Sequence, residues 1–219
     1  MITPFIVEDL FELNPNSSVS YYPEYVCIDD FYKNFTDIQA IFANMTVESW
    51  KMSQWTRNFK DYFDCRPMFS NSFPDTKKSN ARLHPIKSLV SSMLHNENVT
   101  IEQSLSFNVF KHNKKDVPAH KQHHPHYDDN KINVLIYLDN FCEGSGTNLY
   151  ENIDVTNTEE VNLIVDISKY KLLETIPAKP NRCVIFNGNQ LHGAYIKDNN
   201  IYYDNWRITQ ASILQRSDT

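Results

Sequence analysis

From about Ile101 to Leu214 the chain is a succession of short β-prone runs separated by turn residues. That alternation limits the fold more than any other feature of the sequence. Runs rich in Val, Ile, Thr, Tyr and Phe, bounded by Gly, Pro, Asn or Asp, read as strands. They fall near Ser104–Lys111, His123–Asp128, Asn133–Leu138, Thr147–Tyr150, Lys171–Ile176, Arg182–Phe186, His192–Ile196 and Asn205–Leu214. Ala178-Lys179-Pro180-Asn181 and Asn187-Gly188-Asn189 carry the turn signals between them. Eight short strands behind a helical layer suggest an α+β, mainly β fold, built as a barrel or sandwich of the jelly-roll kind.

The helical layer precedes the strands. Tyr25 to Ile28 reads as an early strand, and Thr36-Asp37-Ile38-Gln39 fits a capping box opening a helix to about Met45. Pro85 suits a first helical turn, and Ile86, Leu89, Val90, Met93 and Leu94 then fall on one face, as core packing requires. Trp50, Trp55, Phe59, Tyr62 and Phe63 form an aromatic-rich segment suited to a core or to the wall of a substrate pocket. A chain of 219 residues suits a single domain. The expected division is residues 1–102 as a helix-containing N-terminal layer and 103–219 as the jelly-roll core.

Composition removes several function classes. Hydrophobic residues make up 41% of the chain, enough to exclude a disordered class. A formal net charge of −6 gives no bulk attraction to phosphate backbones, so nucleic acid is a disfavoured partner. Cys27, Cys65, Cys142 and Cys183 form no Cys-x-x-Cys pair, against a zinc knuckle or a dense disulfide framework. No basic-then-apolar leader and no membrane-length apolar run is found, so a cytoplasmic protein with no membrane partner is expected. No Gly-x-Ser-x-Gly elbow or Gly-rich phosphate loop occurs.

The chemistry concentrates in Gln122-His123-His124-Pro125-His126-Tyr127-Asp128-Asp129. Alternate residues of a strand share a face, so His126 and Asp128 can offer an imidazole and a carboxylate to one ion. His192, at the start of a later strand, can supply a second imidazole. Two histidines and a carboxylate on one face leave three positions open, the arrangement suited to non-haem Fe(II) oxygen chemistry. Asp129 points away from that face. Arg207 follows on the last strand with Thr209 on its side, a guanidinium fork and a hydroxyl suited to a carboxylate. His112 and His120 read as solvated loop residues. His123 and His124 are equally compatible with that and with a place near the metal. Gly188 lies in the turn before His192, whereas Gly144 and Gly146 suit ordinary hairpin chemistry.

In His126-Tyr127-Asp128, Val134-Leu135-Ile136-Tyr137-Leu138-Asp139, Gly144-Ser145-Gly146-Thr147-Asn148-Leu149-Tyr150, His192 and Arg207-Ile208-Thr209, the chain resembles the 2-oxoglutarate/Fe(II)-dependent dioxygenase superfamily. It looks nearest to the prolyl-hydroxylase-like branch, and is also similar to a group found in marine bacteria and their phages. The resemblance covers roughly Ser104 to Leu214. It implies a double-stranded β-helix (jelly roll) with N-terminal supporting helices, and Fe(II) held by His126, Asp128 and His192. The co-substrate 2-oxoglutarate would chelate the iron and pair its far carboxylate with Arg207 and Thr209. O2 and a small-molecule, amino-acid or peptide substrate would complete the reaction. Animal and plant prolyl hydroxylases carry their cation nearer the distal histidine, where this chain has Tyr202, so Arg207 takes the role as in other branches. A tyrosine that helps bind the co-substrate in some relatives maps near Ile136, which leaves the second anchor unassigned. Halogenating members lack the carboxylate, and Asp128 is present, so a hydroxylase is the expected activity.

Two other readings compete. A cupin-like metalloenzyme without 2-oxoglutarate would use the His-x-His of His124-Pro125-His126, but the glutamate expected a few residues later is missing. A non-catalytic β-fold binding module has no need of the intact set His126, Asp128, His192 and Arg207. A nucleobase demethylase is disfavoured by the acidic pI of about 5.7.

Overall fold

The structure, a computed structural model, describes residues 11–44, 51–52, 69–72, 86, 88–93, 99–110, 125–128, 131–140, 143–152, 170–198, 200–205 and 207–216. The strands are β1 (Ser18–Tyr21), β2 (Tyr25–Asp29), β3 (Lys51–Met52), β4 (Phe69–Ser72), β5 (Val99–Phe110), β6 (Lys131–Tyr137), β7 (Ser145–Tyr150), β8 (Leu172–Pro177), β9 (Cys183–Asn187), β10 (His192–Ile196) and β11 (Arg207–Arg216). The helices are α1 (Phe35–Asn44) and α2 (Ile201–Asp204), and residues 88–93 are also helical. Every strand pairing is antiparallel. The large sheet runs β1-β2-β9-β6-β11-β5-β4-β3 and the small one β10-β7-β8.

The alternation of side chains assigns each face of the large sheet. Ile132, Val134 and Ile136 of β6, Cys183 and Ile185 of β9, Ile28 of β2 and Leu214 of β11 form one apolar face. It packs on Phe31, Tyr32, Ile38 of α1, and Ile86 and Val90 of the second helical segment. The opposite face carries Tyr25, Cys27, Tyr137, Val184 and Phe186, which meet Leu149 and Ile176 of the small sheet. The space between the two sheets is therefore an interior, and any residue of β6 or β11 in phase with Tyr137 points into it. Cross-strand register puts Thr209 opposite Tyr137, Ala211 opposite Leu135 and Ile213 opposite Asn133. Arg207 is in phase with Thr209 and shares that face.

Several boundaries differ from the sequence reading. The helix α1 begins at Phe35, with the Asp37 and Ile38 amides donating to the Asn34 carbonyl, so the cap precedes the Thr36 box. Gln39 turns its amide to Asn140 instead of closing such a box. Ile86, Leu89, Val90 and Met93 do line one face, with Leu94 and Pro85 outside the described residues. The strand expected over His123–Asp128 is reduced to an isolated bridge between His126 and His192, with 123 and 124 outside the described residues. His112, His120, Asp129 and the Trp50–Phe63 aromatics also lie outside them. Gly146 is no hairpin residue. It sits within β7, where a Cβ would lie 2.1 Å from the Ile176 carbonyl oxygen.

Candidate metal centre

His126 and His192 are brought together by backbone. The His126 amide donates to the His192 carbonyl at 2.9 Å, and the His192 amide returns the bond to His126 at 3.1 Å. Their rings lie 4.4 Å apart between centroids. Asp128 is set by the turn after β9. Its amide donates to the Gly188 carbonyl at 2.9 Å, while the Gly188 amide donates to Lys131 at 2.8 Å. Tyr127, between the two ligand positions, packs the other way against Tyr150, Tyr170 and Leu191. The period-two argument from the sequence therefore describes the local geometry, although a full strand does not form.

One potential ligand atom from each of His126, Asp128 and His192 lies within 4.8 Å of the others. The Asp128 Oδ2 is 3.3 Å from His192 Nε2. The Nδ1 of His192 lies 2.8 Å from the Gln190 carbonyl, an acceptor that places a proton on Nδ1, so in the neutral ring Nε2 is the nitrogen left for a cation. Phe186 presses edge-on against the same imidazole at 4.8 Å. Burial raises the Asp128 carboxyl pKa, but the His192 hydrogen bond, the charges of His126 and His192 and the Asn133 amide outweigh it. The net effect holds the carboxyl well below the usual carboxylate range. An ionised carboxylate and two oriented imidazoles on a half-dry face form a donor set that fits Fe(II).

Deeper in the interior the polarity continues. His192 pairs with Leu149, and Thr147 stands two residues farther along β7, roughly 6.8 Å away at strand rise. The Thr147 hydroxyl shares a 2.8 Å hydrogen bond with the Tyr137 hydroxyl. Thr209 lies opposite Tyr137, and Arg207 is one alternation beyond, in the direction away from the triad. All four are at least 93% buried. Ser145, next in phase after Thr147, has a buried hydroxyl with no hydrogen-bond partner among the described residues. Asp139 has a separate task, accepting from the Ile208 amide at 3.2 Å and so fixing the start of β11.

The sequence reading left the second anchor unassigned. Ile136 faces the helical layer, and Tyr137 is the residue of that pair whose side chain enters the interior. Thr147 and Asn133, which the sequence reading did not single out, are buried here as well, bonded to Tyr137 and Asp128. The signal for Asn133 was present: it is a polar residue, unfavourable in strands, amid Ile132, Val134, Leu135 and Ile136. Tyr202, ten residues after His192, is fully buried against Ile196.

No protein-family model matches the chain, and no curated protein is similar to it in sequence. Solved structures share its fold. HygX from Streptomyces hygroscopicus, crystallised with nickel, 2-oxoglutarate and hygromycin B, superposes with a TM-score of 0.55. The match is 9% identical and covers 89% of this chain and 83% of HygX. AviO1 from Streptomyces viridochromogenes Tue57 gives 0.54 at 13% identity, covering 90% and 91%. SnoN, a non-heme alpha ketoglutarate dependent epimerase from nogalamycin biosynthesis, gives 0.51 at 13% identity, covering 88% and 78%. Among the described residues no helix is long and apolar enough to cross a membrane.

Proposed function

We propose that the chain is a non-haem Fe(II), 2-oxoglutarate-dependent oxygenase that hydroxylates a small molecule, an amino acid or a peptide side chain. The observation that carries this reading is one interior with two differentiated ends. The triad His126, Asp128 and His192 lies at one end, and Arg207, Thr209, Tyr137 and Thr147 lie deeper. Iron with 2-oxoglutarate and O2 supplies the oxidising chemistry when bound. The chain's own residues supply the rest. His126 and His192 would donate imidazole nitrogens and Asp128 a carboxylate oxygen. Arg207 would receive the far carboxylate of the co-substrate, with the Thr209, Tyr137 and Thr147 hydroxyls around it. Leu149, Val184, Phe186 and Leu135 wall the space between and exclude water, which strengthens each of these charge contacts.

Retention of Asp128 favours hydroxylation over halide transfer, and the co-crystallised ligands of HygX and SnoN favour a small-molecule substrate. The acidic chain makes nucleic acid a poor partner. Conversion of 2-oxoglutarate to succinate in the absence of a prime substrate tests the reading. Slow iron-dependent turnover is expected. No turnover and no 2-oxoglutarate binding by the iron-loaded protein would overturn it.

A further inference from the structure

We infer that Asn133 is a positioning residue of the metal centre, holding the Asp128 carboxylate in the orientation that meets the two imidazoles. The inference rests on the metal-binding part of the proposed function. Asn133 is on β6, in phase with Leu135 and Tyr137, and only 8% exposed. Its register partners are Phe186 on β9 and Ile213 on β11. It therefore sits on the large sheet facing His192, whose ring touches that same Phe186. A buried amide in an apolar strand is costly unless it is hydrogen-bonded. Asn133 Nδ2 donates to Asp128 Oδ2 at 2.9 Å and lies 3.4 Å from His192 Nε2.

These distances define its task. The amide reaches the carboxylate oxygen that faces His192, the oxygen and nitrogen being 3.3 Å apart. A cation seated on that pair occupies the Nε2 lone pair, so the amide is left with the carboxylate as its acceptor. Without this bond Asp128 keeps its backbone bonds to Gly188 and Lys131, but its carboxylate loses the amide donor that orients it. The amide is neutral, so it orients the ligand without competing with the metal for its charge. Lys or Arg at this position would add a like charge beside the cation.

The test uses Asn133→Leu, which keeps the volume and removes the donor, and Asn133→Ala, which removes both. Each is titrated with Co(II), a spectroscopic stand-in for Fe(II), alongside the parent chain, with circular dichroism as the check of folding. Loss of a group that orients a metal ligand typically costs about 10–100-fold in affinity. Both variants should bind Co(II) in that weaker range with an altered ligand-field spectrum, while folding as the parent does. A purely structural Asn133 would lower thermal stability and leave affinity and spectrum unchanged. Parent-like affinity and spectrum in the folded variants would overturn the inference while leaving the proposed function intact. A parent that binds no Co(II) or Fe(II) would overturn both.

Discussion

Gly188→Ala is the most informative single methyl that can be added to this protein. The Cβ would lie 2.2 Å from the Asp128 carbonyl oxygen, 2.9 Å from the Asp128 Cβ and 3.0 Å from the Lys131 carbonyl oxygen. Two of these atoms are backbone and the third is fixed to it, so no rotamer change relieves the clash. Reaching ordinary contact requires a retreat of about 1 Å. That retreat pulls against the 2.9 Å bond from the Asp128 amide to Gly188 and the 2.8 Å bond from Gly188 to Lys131. Overpacking of this kind costs about 1–3 kcal/mol. For a chain of this length, that lowers the thermal midpoint by roughly 2–4 °C per kcal/mol. Because the displaced backbone carries a ligand, metal affinity should fall by about 10–100-fold. Gly146→Ala is the matched control. Its Cβ would meet the Ile176 carbonyl at 2.1 Å, with no triad residue among its close contacts. Calorimetric metal titration and thermal unfolding of both variants decide the matter. Equal stability losses with metal binding weakened only at position 188 are expected. A Gly188→Ala protein that binds metal as the parent does would refute the claim that this turn sets Asp128.

Arg207→Ala should leave metal binding intact and weaken 2-oxoglutarate binding by an order of magnitude or more. A charge-assisted hydrogen bond contributes roughly 1.5–3 kcal/mol, and about 1.4 kcal/mol is tenfold. Arg207→Lys should recover only part of this, because an ammonium keeps the charge and loses the fork. Tyr137→Phe strips the 2.8 Å partner from the Thr147 hydroxyl. It should cost about 1–3 kcal/mol of stability and weaken 2-oxoglutarate without touching metal affinity, as calorimetry of both ligands would report. Away from the site, Arg182 grips Asp29 through Nε at 2.6 Å and a terminal nitrogen at 3.0 Å, with Lys179 at 3.0 Å. The Arg182 bond, opposed by desolvation and aided by Lys179, holds the Asp29 carboxyl below its ordinary range. A depressed carboxyl stabilises the fold above its unfolded pKa of roughly 3.9 and loses that contribution as pH falls. The stability gap between the parent and Asp29→Asn, measured by denaturant titration, should be widest near neutral pH and close in acid.

What could be read from the sequence was whatever depends on local period. The phase of His126 with Asp128, and of Arg207 with Thr209, follows from alternation alone; ligand atoms of the first pair come within 4.8 Å of each other, and the second pair are buried alternate residues of β11. The β-rich second half and the helical stripe through Ile86 and Val90 follow in the same way. What could not be read depends on which strands become neighbours. Ile136 and Tyr137 are adjacent, and only the pairing of β6 between β9 and β11 decides which of them faces the site. Thr147 comes near the triad because β7 pairs with β10, which sets it two residues along from Leu149, the partner of His192. The sequence places Gly188 in the turn before His192, but its contact with Asp128, sixty residues earlier in the chain, depends on the fold.

The central claim is that one site assembles Fe(II) and 2-oxoglutarate on His126, Asp128 and His192. Anaerobic absorption spectroscopy tests it most directly. Adding 2-oxoglutarate to the Fe(II)-loaded chain should produce a metal-to-ligand charge-transfer band, absent with either component alone. That band should be lost in folded His126→Ala and His192→Ala proteins. No band from the parent, or a parent-like band from either histidine variant, would contradict the account.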